Sequence, residues 1–134
     1  MLRVLVVEDN HTFREAFKQS LCEHFHFIVI EEAETGEEAL QKVKRSPPHL
    51  IFMDIRLPGM NGLQVTQKIK RDFPNVRIAI LTGYDLPEYR QAALQYEADR
   101  FFVKDSLQWN EVKSLVESLE KTRCGPCEGT TKKT

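Results

Sequence analysis

Five short apolar runs punctuate the chain: LRVLVV at 2–7, FIVIEE at 27–32, HLIFMDI at 49–55, RIAIL at 77–81 and RFFV at 100–103. Runs of this length, rich in Val, Ile and Phe, read as strands rather than helices. Most carry apolar residues at successive positions, the pattern of a strand buried on both faces. Between them the apolar residues switch to helical spacing. A strict strand–helix alternation with doubly buried strands leaves one class, an α/β fold in which helices cover both faces of a parallel sheet through right-handed crossovers.

The helical segments can be placed from their patterns. Phe13, Ala16, Phe17 and Leu21 predict a helix from about Thr12 to His24. Thr35-Gly36-Glu37-Glu38 fits a capping box that opens a helix with Ala39, Leu40 and Val43 on its apolar face, ended by Pro47-Pro48. After the Pro/Gly loop at 58–62 comes a helix carrying Val65, Ile69 and Phe73. Asp85 and Pro87 read as the N-cap and first turn of a helix with Tyr89, Ala92, Ala93 and Tyr96 on one face. Val112, Leu115, Val116 and Leu119 sit at i, i+3, i+4 and i+7 of a last helix. From Cys124 the composition turns to Gly, Pro, Thr and Lys without apolar period, so residues 1–123 read as one domain and 124–134 as a flexible tail.

Bulk properties narrow the function. The 134 residues suffice for one ordinary core, and 19 basic against 20 acidic residues give a net charge of -1, so no nucleic-acid-binding surface is expected of this domain. No apolar run approaches the roughly 20 residues of a membrane span, and the N-terminus MLRVLVVEDN lacks the long apolar stretch of a signal peptide. Three cysteines are too few for a disulfide framework, which points to a cytoplasmic protein.

The chemistry-bearing residues fall at the strand ends. Strand one runs into Glu8-Asp9, strand three into Asp54, strand four into Thr82 and strand five into Lys104. In open parallel sheets ligands bind beyond the carboxyl ends of the strands, so these side chains would share one small region. Three carboxylates in proximity repel one another unless a cation intervenes, and an all-oxygen donor set suits a hard ion such as Mg²⁺. A hydroxyl at Thr82 and an ammonium at Lys104 are apt partners for phosphate oxygens. Asp54, at the end of the middle strand, is then the natural nucleophile, since aspartyl phosphates are a known covalent intermediate.

Taken together, "VVEDN", "LIFMDIRLPGMNG", "ILTGYD", "FFVKDS" and their spacing resemble the receiver domain of two-component response regulators over roughly residues 2–120. The resemblance implies a flavodoxin-like (βα)5 fold with strand order 2-1-3-4-5. It implies that Asp54 accepts phosphate from a sensor histidine kinase or phosphotransfer protein, and that the phosphorylated form can dimerise. It further implies that Asp9, Asp54 and the backbone carbonyl of Arg56 bind Mg²⁺, with Glu8 assisting through water. Thr82 and Lys104 would contact the phosphoryl group, and Phe101 would be the switch aromatic that moves inward with Thr82. The wording is most similar to receivers that precede a LuxR-like helix-turn-helix domain, so the sequence is expected to be a segment of a longer regulator or a stand-alone receiver. Where the family often has Gly-Ala before the fifth strand, this chain has Glu97-Ala98.

Other readings compete. Glu8 and Asp9 could be solvated strand ends or a helix cap, Asp54 a turn residue, and Lys104 an ordinary surface charge. A phosphatase of the haloacid dehalogenase class also uses an aspartyl phosphate with Mg²⁺, but needs a second Asp two residues on, where Arg56 stands and cannot give up a proton. A phosphorylation-independent interaction module would keep the fold without needing every chemical position filled. Cys124-Gly-Pro-Cys127 matches the thioredoxin active-site motif, yet only seven residues follow it, too few to build the helix that activates such a thiol.

Overall fold

All ten expected elements form, in the expected order, in a computed structural model that describes residues 1–124 of the chain, with side chains described through Lys121. They are β1 Leu2–Val7, α1 His11–His24, β2 Ile28–Ala33, α2 Gly36–Arg45, β3 Leu50–Met53, α3 Gly62–Asp72, β4 Arg77–Thr82, α4 Pro87–Gln95, β5 Arg100–Val103 and α5 Trp109–Cys124, with a single 3₁₀ turn at Lys104–Ser106. The strands are all parallel and lie in the order β2-β1-β3-β4-β5. The fold is therefore the flavodoxin-like doubly wound sheet.

Alternate strand residues feed two separate cores. Leu5 and Val7 of β1, Ile51 and Met53 of β3, and Ile78 and Ile80 of β4 pack with Ala39, Val43, Val65, Ile69 and Ala93 from α2, α3 and α4. Their neighbours Leu2, Val4, Val6, Leu50, Phe52, Ala79 and Leu81 point the other way, against Phe17 and Leu21 of α1 and Val112, Leu115 and Val116 of α5. The period of two in the strands thus meets helices on each side. Edge strand β2 alternates between half-buried and exposed residues along most of its length, as only one of its flanks is covered. Among the described residues no helix is long and apolar enough to cross a membrane.

Element ends depart from the sequence expectations in physically traceable ways. Asn10, not a residue at the start of a Thr12 helix, caps α1 through its side chain and the Phe13 N–H at 3.0 Å. Thr35 caps α2 as expected, but the Glu38 carboxylate accepts from the Glu34 N–H at 2.9 Å instead of closing the box on Thr35. A complete capping box forms instead at Asn61 and Gln64, opening α3. Asp85 is not the N-cap of α4. Pro87 takes the first helical position, which puts Leu86 at the cap with no side-chain bond, and the Asp85 carboxylate turns to Arg90 at 2.5 Å. Phe73 caps the end of α3 instead of lying within it. The tail expected over 124–134, with its Cys-Gly-Pro-Cys motif, lies outside the described residues, except that the backbone of Cys124 closes α5.

Two backbone positions set the loops around the strand ends. A Cβ at Gly62 would stand 1.9 Å from the carbonyl oxygen of Asp54, so only glycine lets α3 begin this close to the end of β3. Glu97, just before β5, holds φ at 66°, a left-handed conformation that an L side chain adopts only at a cost.

Candidate functional site

Parallel pairing carries each strand's last residues to the same edge of the sheet. The Glu8 N–H bonds the carbonyl of Ala33 at the end of β2 (2.9 Å), and the Asp54 N–H bonds the carbonyl of Val7 at the end of β1 (3.1 Å). β3 stops at Met53, two residues short of the expected Ile55, because the chain turns immediately. The Ile55 N–H donates to Asp54 Oδ1 at 2.8 Å and the Leu57 N–H to the Ile55 carbonyl at 3.1 Å. Asp54 therefore leaves the sheet with its carboxylate tied to its own turn. Thr82 closes β4, and Lys104 opens the 3₁₀ turn after β5.

Four of the residues expected at these ends come together. Glu8, Asp9 and Asp54 each bring a carboxylate oxygen into a group spanning no more than 4.8 Å. Lys104 Nζ lies 2.6 Å from Glu8 Oε1 and 3.6 Å from Asp54 Oδ2. The ammonium thus meets both buried carboxylates, Glu8 more closely. The second Glu8 oxygen accepts from the Asn10 N–H at 3.0 Å, so both are engaged within the chain. Glu8 is 3% exposed and Asp54 6%, whereas Asp9 faces solvent. Thr82 is fully buried, and its Oγ1 accepts from the Tyr84 N–H at 3.3 Å. Phe101 is half-buried, packs against the core beneath α4, and lies under the Arg90 guanidinium at 4.7 Å.

Charge balance here is unfavourable as it stands. Three carboxylates face one ammonium, two of them buried. Burial, and next the charge of Glu8, push the Asp54 carboxyl up to about 7; Lys104 and the Ile55 N–H pull the other way and lose. A carboxylate so placed wants a cation. The donor set is all oxygen, with one exposed carboxylate at its mouth, and this fits the preference of Mg²⁺ for one or two carboxylates with the rest of its shell left to water or phosphate.

Several contacts around the site escaped sequence reasoning. The Arg56 side chain folds over the Tyr84 ring at 3.6 Å and donates to the Tyr89 hydroxyl at 3.3 Å, joining the loops after β3 and β4 to α4. Phe13, read as a core residue of α1, supports Lys104 Nζ from 4.3 Å. Arg14, which fits no apolar pattern, is buried in the α1–β2 angle. No spacing rule marks such contacts, because they join residues tens of positions apart.

A flavodoxin-like doubly wound sheet with an acidic cluster and a lysine at its carboxyl edge holds its charged groups where ligands bind in open α/β folds. More narrowly, the chain belongs to the response regulator receiver domain family, whose pattern it matches over residues 4–117. Among curated relatives it is similar to the response regulator GacA of Pseudomonas protegens, 32% identical over 104 residues that cover 78% of this chain and 49% of that protein. Among solved structures it is similar to the response regulator TrrA of Thermotoga maritima, in complex with Mg²⁺-BeF (37% identity, TM-score 0.77, 89% of this chain and 99% of that one). It is also similar to a DNA-binding response regulator of the LuxR family from Staphylococcus aureus (25% identity, TM-score 0.77, 90% and 98%). The chain spans about half the length of these curated relatives that it matches.

Proposed function

We propose that this receiver domain is the phosphoacceptor switch of a two-component phosphorelay, with Asp54 as the acceptor. The observation that supports this most is the convergence of Glu8, Asp9 and Asp54 within 4.8 Å of one another, with Lys104 at their side. An Asp54 oxygen attacks the phosphorus of a phosphohistidine on a sensor kinase or phosphotransfer protein. The O–P bond forms as the P–N bond breaks, and the departing imidazole keeps the electron pair and takes a proton from solvent. Attack needs the ionised carboxylate, which burial disfavours.

Asp9, Asp54 and the Arg56 backbone carbonyl would hold Mg²⁺, with Glu8 assisting. When bound, the ion supplies positive charge that favours ionised Asp54 and offsets charge on the transferring group. Lys104, already 3.6 Å from Asp54 Oδ2, is placed to donate to a phosphoryl oxygen, and the Thr82 hydroxyl to a second. Thr82 then gives up its present bond from the Tyr84 N–H, and Phe101 follows it inward, which alters the surface formed by α4, β5 and α5. The readout is dimerisation or contact with an output partner. Chemistry ends with loss of the protein's own phosphate, so no outside substrate is turned over. Residues 1–123 form the receiver. The likeness to LuxR-family regulators fits an output domain that binds DNA in the whole protein.

Beryllofluoride, a phosphoryl mimic, gives a clean test. Titrated with Mg²⁺ present, it should shift the amide resonances of Asp54, Thr82 and Lys104 together, and it should do nothing when Mg²⁺ is chelated. Shifts of equal size without Mg²⁺, or none with it, would reject the assignment.

A further inference from the structure

Arg14 is a charged side chain inside the fold, 5% exposed on α1, and the phosphoryl chemistry above makes no use of it. Its guanidinium reaches three elements. Nη1 donates to the carbonyl oxygen of Glu8 at 2.6 Å, Nε donates to Glu32 Oε1 on β2 at 2.7 Å, and Nη2 lies 3.2 Å from His11 Nδ1 and 3.7 Å from Glu34. Glu32 is itself fixed, since Lys18 holds its other oxygen at 2.6 Å and Lys42 donates to its backbone carbonyl. The fork is therefore braced from β2 and aimed at one peptide.

That peptide joins Glu8 to Asp9. Its plane orients both acidic side chains: turning it about the flanking bonds swings Asp9 relative to Glu8 and Asp54. The Glu8 N–H is anchored to Ala33, but the carbonyl on its other side is buried and depends on a donor, which Arg14 supplies. A planar, permanently charged fork can serve a carbonyl and a carboxylate at once; an ammonium on a flexible stem cannot do so with the same geometry.

We propose that Arg14 is a positioning residue for the cation site: by pinning the Glu8–Asp9 peptide it sets the mutual placement of the carboxylates that receive Mg²⁺. The inference rests on the phosphoacceptor reading and extends it to a residue that touches neither metal nor phosphate. Partners that orient the ligands of a metal typically change its affinity by about 10- to 100-fold when removed.

The experiment compares Arg14→Met with Val116→Ala in the full chain. Val116→Ala opens a cavity in the core beneath α5 and leaves every bond of Arg14 in place. It acts as the control for stability lost without loss of the pinned peptide. Mg²⁺ binding is read by calorimetry, and the Asp9 amide, which belongs to the pinned peptide, by its NMR resonance. Arg14→Met should weaken Mg²⁺ binding about tenfold or more and displace the Asp9 resonance in the metal-free protein. Val116→Ala should leave Mg²⁺ affinity close to that of the wild type even where it lowers the melting temperature.

Equal Mg²⁺ affinity in wild type and Arg14→Met overturns the inference while leaving Asp54 as acceptor intact. A loss in Val116→Ala as large as in Arg14→Met overturns it too, by tracing the effect to stability alone. Should Arg14→Met not fold, Arg14→Lys, which keeps the charge but not the fork, must weaken Mg²⁺ binding in the same sense, and unchanged affinity in that variant overturns the inference equally. Absence of Mg²⁺ binding by the wild type would remove the phosphoacceptor reading together with this one.

Discussion

Replacing Asp54 with Asn should make the metal-free protein more stable, and more so as the pH rises. Burial and the Glu8 charge raise the Asp54 carboxyl from 3.8 to about 7. A raised carboxyl contributes stability that is fully present below its unfolded value, 3.8, and is lost as the pH climbs to and through about 7. Three pH units of displacement correspond to about 4 kcal/mol against the folded state at pH 8. At pH 5 the native carboxyl is still protonated, and only about 1 to 2 kcal/mol of that penalty has developed. Asn keeps an oxygen for the Ile55 N–H, which now meets Asp54 Oδ1 at 2.8 Å, and leaves the 2.6 Å pair of Lys104 with Glu8 in place. What is lost is the longer Lys104 contact at 3.6 Å. The stability advantage of Asn over Asp should therefore grow by about 2 to 3 kcal/mol between pH 5 and pH 8. Urea unfolding at both pH values in the presence of a chelator measures it, and saturating Mg²⁺ should narrow the gap by stabilising the wild type. An advantage that is flat with pH, or a variant less stable than wild type at pH 8, would refute the electrostatic reasoning.

Lys104→Met should move the Asp54 titration further up from about 7, because the ammonium now opposes the rise; carbon-detected NMR of the carboxyl would show it, and a downward move would contradict the placement. Gly62→Ala puts a Cβ where the Asp54 carbonyl oxygen lies 1.9 Å away, so it should cost roughly 2 kcal/mol or more in chemical denaturation and slow Asp54 labelling by acetyl phosphate, whereas a neutral effect on both would mean the α3 start is free to shift. Glu97→Gly relieves the left-handed backbone at φ 66° and should raise stability by roughly 0.5 to 1 kcal/mol in thermal unfolding.

The doubly covered parallel sheet and the converging strand ends were legible because each rests on local pattern, while the strand order 2-1-3-4-5 came only with the family resemblance and the sheet bears it out. Continuous apolar runs in β1, β3 and β4 and period 3.6 in α5 were enough to call for helices on both faces of the sheet, and Ile51 and Phe52 do enter opposite cores. Parallel pairing then had to gather Glu8, Asp54, Thr82 and Lys104 at one edge. Less legible were choices between near-equivalent partners. That Lys104 sits closer to Glu8, at 2.6 Å, than to Asp54, at 3.6 Å, depends on the reach of a glutamate across two strands, and the sequence holds no record of that distance. Asp85 was misplaced as a cap because Pro87 could occupy either of the first helical positions, and only the backbone shows which. Arg14 escaped notice because a lone arginine on an amphipathic helix ordinarily points to water. The backbone carbonyl it satisfies leaves no mark in composition or spacing.

The phosphoacceptor assignment is tested most directly by incubating the protein with acetyl phosphate and Mg²⁺ and recording its intact mass, then mapping the modified peptide. The account predicts the addition of one phosphoryl group, located at Asp54, abolished by Asp54→Asn and by chelation of Mg²⁺. Phosphate found on another residue, or uptake undiminished in Asp54→Asn, would contradict it.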